Sequence, residues 1–333
     1  MRIVTFCAHQ PYLYLFAGME GVQFDLIQLN EHRRFLQNWS EQVRPLPEGW
    51  ELIDMARARE RAEAGDYDLC MAHNINDYID FLPFNLPLIL VVHTSLTGRL
   101  KEEKSDIDSA VYKAYVHQLI TKSAGEVVFT TALKRRDWGL EGEVIFPFVN
   151  VADYSGFTGE QASILRVANQ LVERGDILMY DFHKFLTRKL PCTVVGHNPS
   201  LPDAHVAESW EELKGFYRGH RVYLHTAEPN LEDGFNLAML EAMSTGMPVI
   251  STAHPTSPVI DSYNGFISDD LGELRARLEL MLNEPELAQI LGANARETVK
   301  RKFPISRFHE AWRQAFERAK KKAEGKPSQD VSG

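Results

Sequence analysis

Two carboxylates frame a short stretch in the C-terminal half of the chain, EDGFNLAMLEAMSTGMPVIST at residues 232–252. Asp233 stands just before a run of helix-prone residues, and Glu241 lies two turns inside that run. Side chains spaced in this way are poorly placed to share one metal ion. They are well placed to hold the two ends of an extended ligand.

A glycine and the predicted start of a helix lie between the two carboxylates. Gly234 lets the backbone come close to another group, because it has no side chain. The first N–H groups of a helix have no intrahelical acceptor and suit a phosphate; here they belong to Phe235, Asn236 and Leu237. The stretch therefore predicts a ligand whose phosphates lie between the carboxylates.

Together with the residues just before it, this stretch has the pattern of a strand, a loop, a helix and a second strand. RVYLHTA is strand-like, the run from Phe235 to Ser244 is helical and stops at Gly246, and Pro248–Ser251 is strand-like again. In open parallel sheets, ligands bind beyond the carboxyl ends of the strands. The loop at residues 227–235 is expected there.

Short apolar strands alternate with amphipathic helices along the whole chain, which predicts an α/β fold with mainly parallel sheets. In the first half, the predicted strands are Arg2–Cys7, Phe24–Leu29, Leu69–Ala72, Leu88–His93, Glu126–Thr130 and Glu143–Phe146, with helices at Trp50–Ala64 and Ser105–Ser123. In the second half, they are Ile164–Ala168, Cys192–Gly196, Arg221–Thr226, Pro248–Ser251 and Gly265–Ile267, with helices at Asp176–Thr187, Trp210–Tyr217, Phe235–Ser244, Leu271–Leu282, Glu286–Arg301 and Ser306–Lys322.

A chain of 333 residues exceeds the size of most single cores, so two domains are expected. Turn residues gather in PFVNVADYSGFTG at 147–159 and mark a linker. The predicted domains are residues 1–150 and 151–305, followed by a helix at 306–322. The polar tail at 323–333 is expected to be disordered.

Composition narrows the function classes. The chain has 36 basic and 46 acidic side chains, a net charge of −10, which argues against a nucleic-acid partner. Its three cysteines, Cys7, Cys70 and Cys192, lie in apolar runs and suggest buried thiols. No apolar stretch approaches the length of about 18 residues that spans a membrane. These features predict a cytoplasmic protein and leave room for a peripheral membrane contact.

The stretch at 232–252 resembles the E-x7-E signature, EGFGLxxLEAMAxGxPVI, of the retaining glycosyltransferase family 4. ILRVANQLVERGDILMYDF and PVIDSYNGFIS, in the same half, resemble two further motifs of that family. The resemblance covers most of the C-terminal half and is only architectural in the N-terminal half. It implies a GT-B fold, in which two Rossmann-like α/β/α domains face across a cleft and the last helix returns to the first domain.

The resemblance also implies roles for individual residues. Glu241 falls on the glutamate that holds the ribose of a nucleotide sugar, and Asp233 falls on the one that binds sugar hydroxyls. The family neutralises the diphosphate with an arginine and a lysine. Arg174 matches the lysine, but Asn169 stands at the arginine position and supplies no charge. Arg166 or a residue of the other domain is the alternative cation.

Further candidates follow other strands. Gly18 in HQPYLYLFAGME matches loosely a glycine loop of the family that approaches the donor phosphate. His73 and His93 come at strand ends and are candidates for hydrogen bonds to sugar hydroxyls or an oxyanion. His197 ends a strand on the nucleotide side, where a contact to the base and a plain turn are alternatives.

The predicted function is transfer of a sugar from a nucleotide-sugar donor to a glycan, lipid or small-molecule acceptor bearing a hydroxyl. Retention of configuration and independence of metal or other cofactors come from the resemblance. Asp66–Asp68 precedes a strand and Asp106–Asp108 falls in a predicted helix, so neither DxD triplet lies at a carboxyl strand end.

The alternative is a catalytically weak or inactive scaffold that binds a nucleotide sugar, a glycan or a partner, and Asn169 favours it. A third function class, a non-transferase of the same fold, has no sequence feature in its favour. Structural roles also stay open for single residues: Asp233 as a helix N-cap, Glu241 as a solvent-facing carboxylate, and Arg174 as a surface residue.

Overall fold

A computed structural model of the protein describes residues 1–29 and 38–325. Its contacts define two compact units. Unit 1 consists of Met1–Leu96, Ser105–Phe146 and Ser306–Gly333, and unit 2 consists of Thr97–Lys104 and Pro147–Ile305. The sequence-based division placed Thr97–Lys104 with the N-terminal half, whereas the structure groups this segment with unit 2. Residues 326–333 of the predicted disordered tail lie outside the described residues.

Unit 1 contains a seven-stranded sheet in which every pairing is parallel. Its strands are β1 (Arg2–Phe6), β2 (Gln23–Ile27), β3 (Glu51–Ile53), β4 (Leu69–Ala72), β5 (Leu88–Val92), β6 (Glu126–Phe129) and β7 (Glu143–Val144), in the order β3-β2-β1-β4-β5-β6-β7. Consecutive residues of β1, such as Ile3 and Val4, are both fully buried. A parallel sheet covered on both faces requires such continuous apolar strands.

The helices around this sheet are α1 (Gln10–Leu13), α2 (Met55–Glu63), α3 (Ile75–Phe81), α5 (Ser109–Ser123), α6 (Ala132–Trp138) and α13 (Ile305–Glu324); α4 (Leu96–Glu102) belongs mainly to unit 2. The predicted helix Trp50–Ala64 was partly wrong, because its first residues form the edge strand β3. The predicted helix Ser105–Ser123 starts late, because the Asp108 carboxylate caps α5 by accepting from Ala110 N and Val111 N. The Asp106–Asp108 triplet therefore precedes a helix.

Unit 2 contains a second parallel sheet of five strands. Its strands are β8 (Gln161–Val167), β9 (Cys192–Val195), β10 (His220–His225), β11 (Val249–Ser251) and β12 (Gly265–Ile267), in the order β12-β11-β10-β8-β9. Its helices are α7 (Gly175–Leu178), α8 (Tyr180–Thr187), α9 (Trp210–Gly219), α10 (Leu237–Thr245), α11 (Leu271–Asn283) and α12 (Pro285–Lys302). The predicted single helix Asp176–Thr187 is two, because Met179 adopts a left-handed backbone with φ 53°.

The core of unit 2 lies on both faces of its sheet. Leu165 and Tyr223 face one core, in which residues of α9, α10 and α12 pack. Ile164 and Val222 face the other, which is closed by α8 and α11. Helix α10 is buried from Met239 to Thr245, so it runs through the core and only its N-terminal end is partly exposed.

The last helix, α13, packs within unit 1 against residues of the N-terminal half, as the sequence predicted. Phe308, Trp312 and Phe316 lie along one face of α13 and are each at most 2% exposed. Their rings lie 5.2, 5.0 and 6.3 Å from that of Phe16. Arg318 adds an ion pair to Glu126 at 2.9 Å.

Because Trp312 is fully buried in this contact, Trp312→Ala is expected to destabilise unit 1 by about 3–5 kcal/mol, the cost of truncating a buried large aromatic side chain. Urea denaturation followed by tryptophan fluorescence and circular dichroism measures the loss. Glu317→Ala, an exposed change on the same helix, is the control and should leave the midpoint nearly unchanged. Equal midpoints for both variants would show that the aromatic face of α13 contributes nothing to the stability of unit 1.

Candidate donor site and histidine cluster

The loops that follow the parallel strands of unit 2 are joined to one another by hydrogen bonds. Asn169, after β8, accepts from His197 N, after β9, at 2.8 Å. Ala227 N, after β10, donates to Thr252 Oγ1, after β11, at 3.3 Å. Parallel strands end at the same edge of the sheet, so residues far apart in sequence meet there. Asn169, His197 and the loop before α10 all follow strands that end at this edge.

Glu241 lies on α10 and is buried, with 5% of its surface exposed. Its Oε2 accepts a hydrogen bond of 2.9 Å from the hydroxyl of Tyr217, at the end of α9. The pKa of Tyr217 is raised well above its ordinary value by burial and next by the negative charge of Glu241. The solvent-facing alternative for Glu241 is therefore wrong. The sequence did not reveal Tyr217, because an apolar helix face shows no sign of where a hydroxyl points.

The helix start at the site differs from the expected one. Asp233 is fully buried, and it does not cap α10. The cap is Asn236, whose Oδ1 accepts from Met239 N at 2.8 Å. None of the hydrogen bonds of the described residues uses the N–H of Asn236 or Leu237. These two residues are partly exposed, whereas the Phe235 side chain is buried against Phe303 at a ring distance of 5.6 Å.

Gly234 is required by a neighbour in the chain. A Cβ at this position would lie 2.5 Å from Cβ of His254. Nε2 of His254 donates to Glu232 O at 2.9 Å, since a carbonyl only accepts, and Nδ1 accepts from Thr256 N at 3.0 Å. Thr256 Oγ1 accepts in turn from Gly234 N at 2.9 Å. The turn after β11 thus braces the loop before α10; the polar run STAHPTS after a strand was the sequence signal for it.

Asn169 and His197 act on the backbone in this structure. Both residues are exposed, and their link joins the Asn169 side chain to the His197 main chain. Asn198, which is buried, closes the same loops by accepting from Leu171 N at 2.7 Å and donating to Ala168 O at 2.8 Å. The position that lacks the expected arginine is therefore filled by a residue that shapes the loop.

The two arginines near this edge differ in their partners. Arg174 lies between carboxylates, with Nη2 3.5 Å from Glu232 Oε2 and Nε 3.4 Å from Glu102 Oε2. Arg166 is 1% exposed and donates to Leu224 O and Thr226 O, both at 3.1 Å. Burial lowers the pKa of Arg166. Arg166 thus supports the end of β10, while Arg174 is the more exposed cation.

The predicted histidines of unit 1 form a cluster at the carboxyl ends of β4 and β5. His73 Nδ1 lies 2.8 Å from His93 Nε2, and the ring of His9, after β1, lies 4.3 Å from that of His93. Tyr12 packs edge-on against His93 at 4.7 Å. His9 has φ 50°, a conformation that non-glycine residues adopt at a cost and that gathers at functional sites. His9 and Tyr12 were missed, although HQPY follows the first strand directly.

Both predicted histidines are neutral near pH 7. Burial, and next the charge of His9, lowers the pKa of His73 from 6.5 to about 3. Burial and the charges of His9 and His73 also bring the pKa of His93 well below its ordinary value. A neutral pair shares one proton in its hydrogen bond, so each ring can both donate and accept.

Gly18 lies away from these histidines. It has φ 78° in the turn that leads to Gly21, whose carbonyl accepts from the N-terminal amine at 2.7 Å. That turn is at the amino end of β1, whereas His73 and His93 follow carboxyl ends. The glycine therefore serves the turn before β2 in this structure, and a Cβ there would meet no neighbour within 4 Å.

Two features are absent from the described part of the chain. Among those residues, no group of three or more His, Cys, Asp or Glu side chains is arranged to hold a metal ion. No helix in the same residues has both the length and the apolar character needed to cross a membrane.

Solved structures with the same architecture define the fold class. HepE of Anabaena, solved with UDP and glucose, is 13% identical with a TM-score of 0.68, and the match covers 95% of this chain and 99% of that one. Sucrose-phosphate synthase from Thermosynechococcus elongatus is 15% identical with a TM-score of 0.64, covering 95% and 98%. At such identities the likeness concerns the fold alone. The protein has the GT-B-like fold that the sequence predicted.

Sequence comparison adds the family. Residues 205–298, within unit 2, match the family model of glycosyl transferases group 1. A trehalose synthase of Pyrococcus horikoshii is 31% identical over 103 residues, which are 30% of this chain and 24% of the relative. The matched stretch thus spans about a quarter of the curated relatives. The family match is thus confined to residues 205–298, and it confirms the resemblance found in the motifs of this half.

Because the folded-state pKa values of His73 and His93 lie below the ordinary 6.5, neither ring should titrate between pH 8 and about pH 5.5. The imidazole C–H chemical shifts of both residues, assigned through His73→Gln and His93→Gln, measure this directly. Below pH 6.5 the unfolded chain binds more protons, so unit 1 should lose about 1.4 kcal/mol of stability per pH unit and histidine. Titration of either ring near pH 6.5 would contradict the assignment.

Proposed function

We propose that the protein is a glycosyltransferase that takes a sugar from a nucleoside diphosphate and passes it to a hydroxyl-bearing acceptor. The single observation that carries the proposal is the buried Glu241 carboxylate, which accepts from Tyr217 about one turn inside α10, together with the N–H groups of Asn236 and Leu237, which donate to no acceptor among the described residues. A carboxylate can accept from ribose hydroxyls, and free N–H groups at a helix start can donate to a diphosphate. The match to group 1 glycosyltransferases supports the same conclusion.

In this proposal, each end of the donor has its own residues. Glu241 accepts from the vicinal ribose hydroxyls, and the N–H groups of Asn236 and Leu237 donate to the diphosphate. Asp233 binds hydroxyls of the transferred sugar, which requires the buried carboxylate to turn toward the donor. His197, at the end of β9, borders the base. UDP is the first nucleotide to test, because the HepE structure holds it.

Departure of the nucleoside diphosphate leaves negative charge on its terminal phosphate. Fixed dipoles and cations that meet this charge lower the barrier, because they stabilise the transition state more than the bound donor. Arg174 and the start of α10 are the groups proposed for this task. Asn169 has its side chain on His197 N, so its contribution is to the shape of the loop.

The acceptor side is proposed at the histidine cluster of unit 1. The neutral His73–His93 pair can accept from an acceptor hydroxyl or donate to an oxygen of the sugar. Retention of configuration, independence of metal and a cytoplasmic location are parts of the proposal that stem from the family resemblance and the sequence. The class of acceptor, whether glycan, lipid or small molecule, stays open.

A second candidate function is a scaffold that binds nucleotide sugars without transferring them. The pairing of Arg174 with Glu102 and Glu232 favours it, because two carboxylates reduce the positive charge offered to a leaving phosphate. The absence of an arginine at Asn169 acts in the same direction. Turnover separates the two functions, since both predict donor binding.

The first test is calorimetric binding of UDP-, GDP-, ADP- and dTDP-sugars, followed by assays of transfer and of donor hydrolysis. Arg174→Ala should lower turnover at least about a hundredfold, the scale of removing one transition-state donor, while donor affinity falls less. Arg188→Ala, an arginine whose side chain has no part in the proposed site, is the matched control and should keep wild-type rates. Micromolar donor binding without transfer or hydrolysis, even in Asn169→Arg, would establish the scaffold.

The ribose assignment has a test of its own. Tyr217→Phe removes the hydroxyl that orients Glu241 and should weaken UDP binding about three- to tenfold, the range of a single hydrogen bond to a charged group after partial compensation. For 2′-deoxy-UDP, which lacks one ribose hydroxyl, the loss should shrink. In Glu241→Gln, adding Tyr217→Phe should cost less than in the wild type. Equal losses for UDP and 2′-deoxy-UDP would mean that Tyr217 is only structural.

A further inference from the structure

The guanidinium of Arg174 has two carboxylate partners within unit 2. Glu102 approaches Nε at 3.4 Å, and Glu232 approaches Nη2 at 3.5 Å. All three side chains are partly shielded, with 23% of Arg174, 17% of Glu102 and 19% of Glu232 exposed. One positive and two negative charges leave this triad with a net charge of −1. An anionic ligand that uses Arg174 therefore competes with these two carboxylates for its positive charge.

The two carboxylates differ in how firmly they are held. Glu232 Oε1 also accepts from Asp233 N at 3.1 Å, and its carbonyl accepts from His254. In the described part of the chain, the side chain of Glu102 has Arg174 as its one polar partner. Glu102 is thus the carboxylate that can leave without disturbing the loop before α10.

Glu102 lies on a segment of unit 2 that makes a second ion pair. This segment, Thr97–Lys104, belongs to unit 2, and Lys101 within it pairs with Asp176 at 3.2 Å. The Lys101–Asp176 pair is exposed, at 49% and 74%, and it does not involve Arg174. The segment therefore offers two neighbouring ion pairs, of which only one bears on the candidate cation.

The contacts of Arg174 are also long. Charge-assisted hydrogen bonds between an arginine and a carboxylate measure about 2.7–2.9 Å, and both distances here exceed that range. Ion pairs of this kind contribute little and exchange readily. A diphosphate carries more negative charge than one carboxylate and can present two oxygens to the guanidinium.

We propose that Glu102 sets donor affinity by competing with the diphosphate for Arg174. The proposal rests on the proposed function, since it takes a nucleoside diphosphate as the ligand. Binding then replaces the Glu102–Arg174 ion pair by a phosphate–Arg174 ion pair, and no covalent bond changes. Glu102 becomes a determinant of affinity that acts through Arg174, whereas Arg174 touches the ligand itself.

The test is the affinity for UDP, GDP, ADP and dTDP, measured by calorimetry at low and at physiological salt. Glu102→Gln keeps the shape of the side chain and removes its charge, so the best-bound diphosphate should bind about two- to fivefold more tightly, the scale of a partly exposed ion pair. The matching nucleoside, which has no phosphate, should bind with unchanged affinity. A gain of affinity is informative because damage to the fold does not produce it.

Two further variants separate this mechanism from a general loosening of the segment. Lys101→Gln removes the neighbouring ion pair of Thr97–Lys104 and leaves Arg174 paired, so diphosphate affinity should stay at the wild-type value. In Arg174→Ala, adding Glu102→Gln should give no gain of affinity, because the guanidinium for which the carboxylate and the diphosphate compete is missing.

The outcomes distinguish this inference from the proposed function. Tighter binding in Glu102→Gln alone, lost in the double variant, supports the inference. If the wild type binds a diphosphate and Glu102→Gln leaves that affinity unchanged or weakens it, the inference is overturned and the proposed function stands. An equal gain of affinity in Lys101→Gln has the same meaning. If neither the wild type nor Glu102→Gln binds any of the four diphosphates, both the proposed function and the inference fail.

Discussion

The parallel pairing of β10 with its two neighbours is the constraint on which the candidate donor site depends. Tyr223 lies opposite Leu165 of β8, and His225 lies opposite Ser251 of β11. Because the strands run in one direction, every following loop starts at the same edge, with backbone groups that have no strand left to pair with. Side chains take over that pairing here. Asn198 holds the loops after β8 and β9 together, and Thr252 joins the loops after β10 and β11.

The positive charge available at this edge depends on the partners of the two arginines more than on the number of arginines. Arg166 is fully buried and donates to two backbone carbonyl groups. These hydrogen bonds fix the end of β10, and the Arg166 guanidinium is shielded from solvent. Arg174 is better exposed but shares its charge with Glu102 and Glu232. A buried charge without partners is costly, so each cation at the edge has acquired neighbours. The carboxylates around Arg174 therefore reduce the positive field that this cation presents at the edge of the sheet.

The sequence was sufficient for features that depend on periodicity. Alternating apolar strands and helices predicted two parallel α/β sheets, and the spacing of Phe308, Trp312 and Phe316 predicted a docking face for α13; both are confirmed. Features decided by the backbone over a few residues were not accessible. Met179 breaks a helix in a conformation that its residue type does not favour, and the edge strand β3 has only three residues.

Contacts across long sequence distances were equally out of reach. Asp233 and Asn236 are both good capping residues, and only the path of the loop, braced by His254 against Gly234, decides that Asn236 caps α10. Tyr217, the partner of Glu241, comes from α9, and Glu102, one of the two partners of Arg174, comes from the segment at 97–104; no pattern within the motif points to either.

The contrast between the two units bears on the chemistry. Burial lowers the pKa of both His73 and His93, so it is unfavourable to make either ring an imidazolium near pH 7. A proton is thus more easily shared within the pair than gained from solvent. If the proposed reaction takes place, the charge that develops on the leaving diphosphate must be met mainly in unit 2. In that proposal, Arg174, its two carboxylates and the start of α10 would decide how much of that charge is stabilised, and the neutral histidines would orient hydroxyl groups.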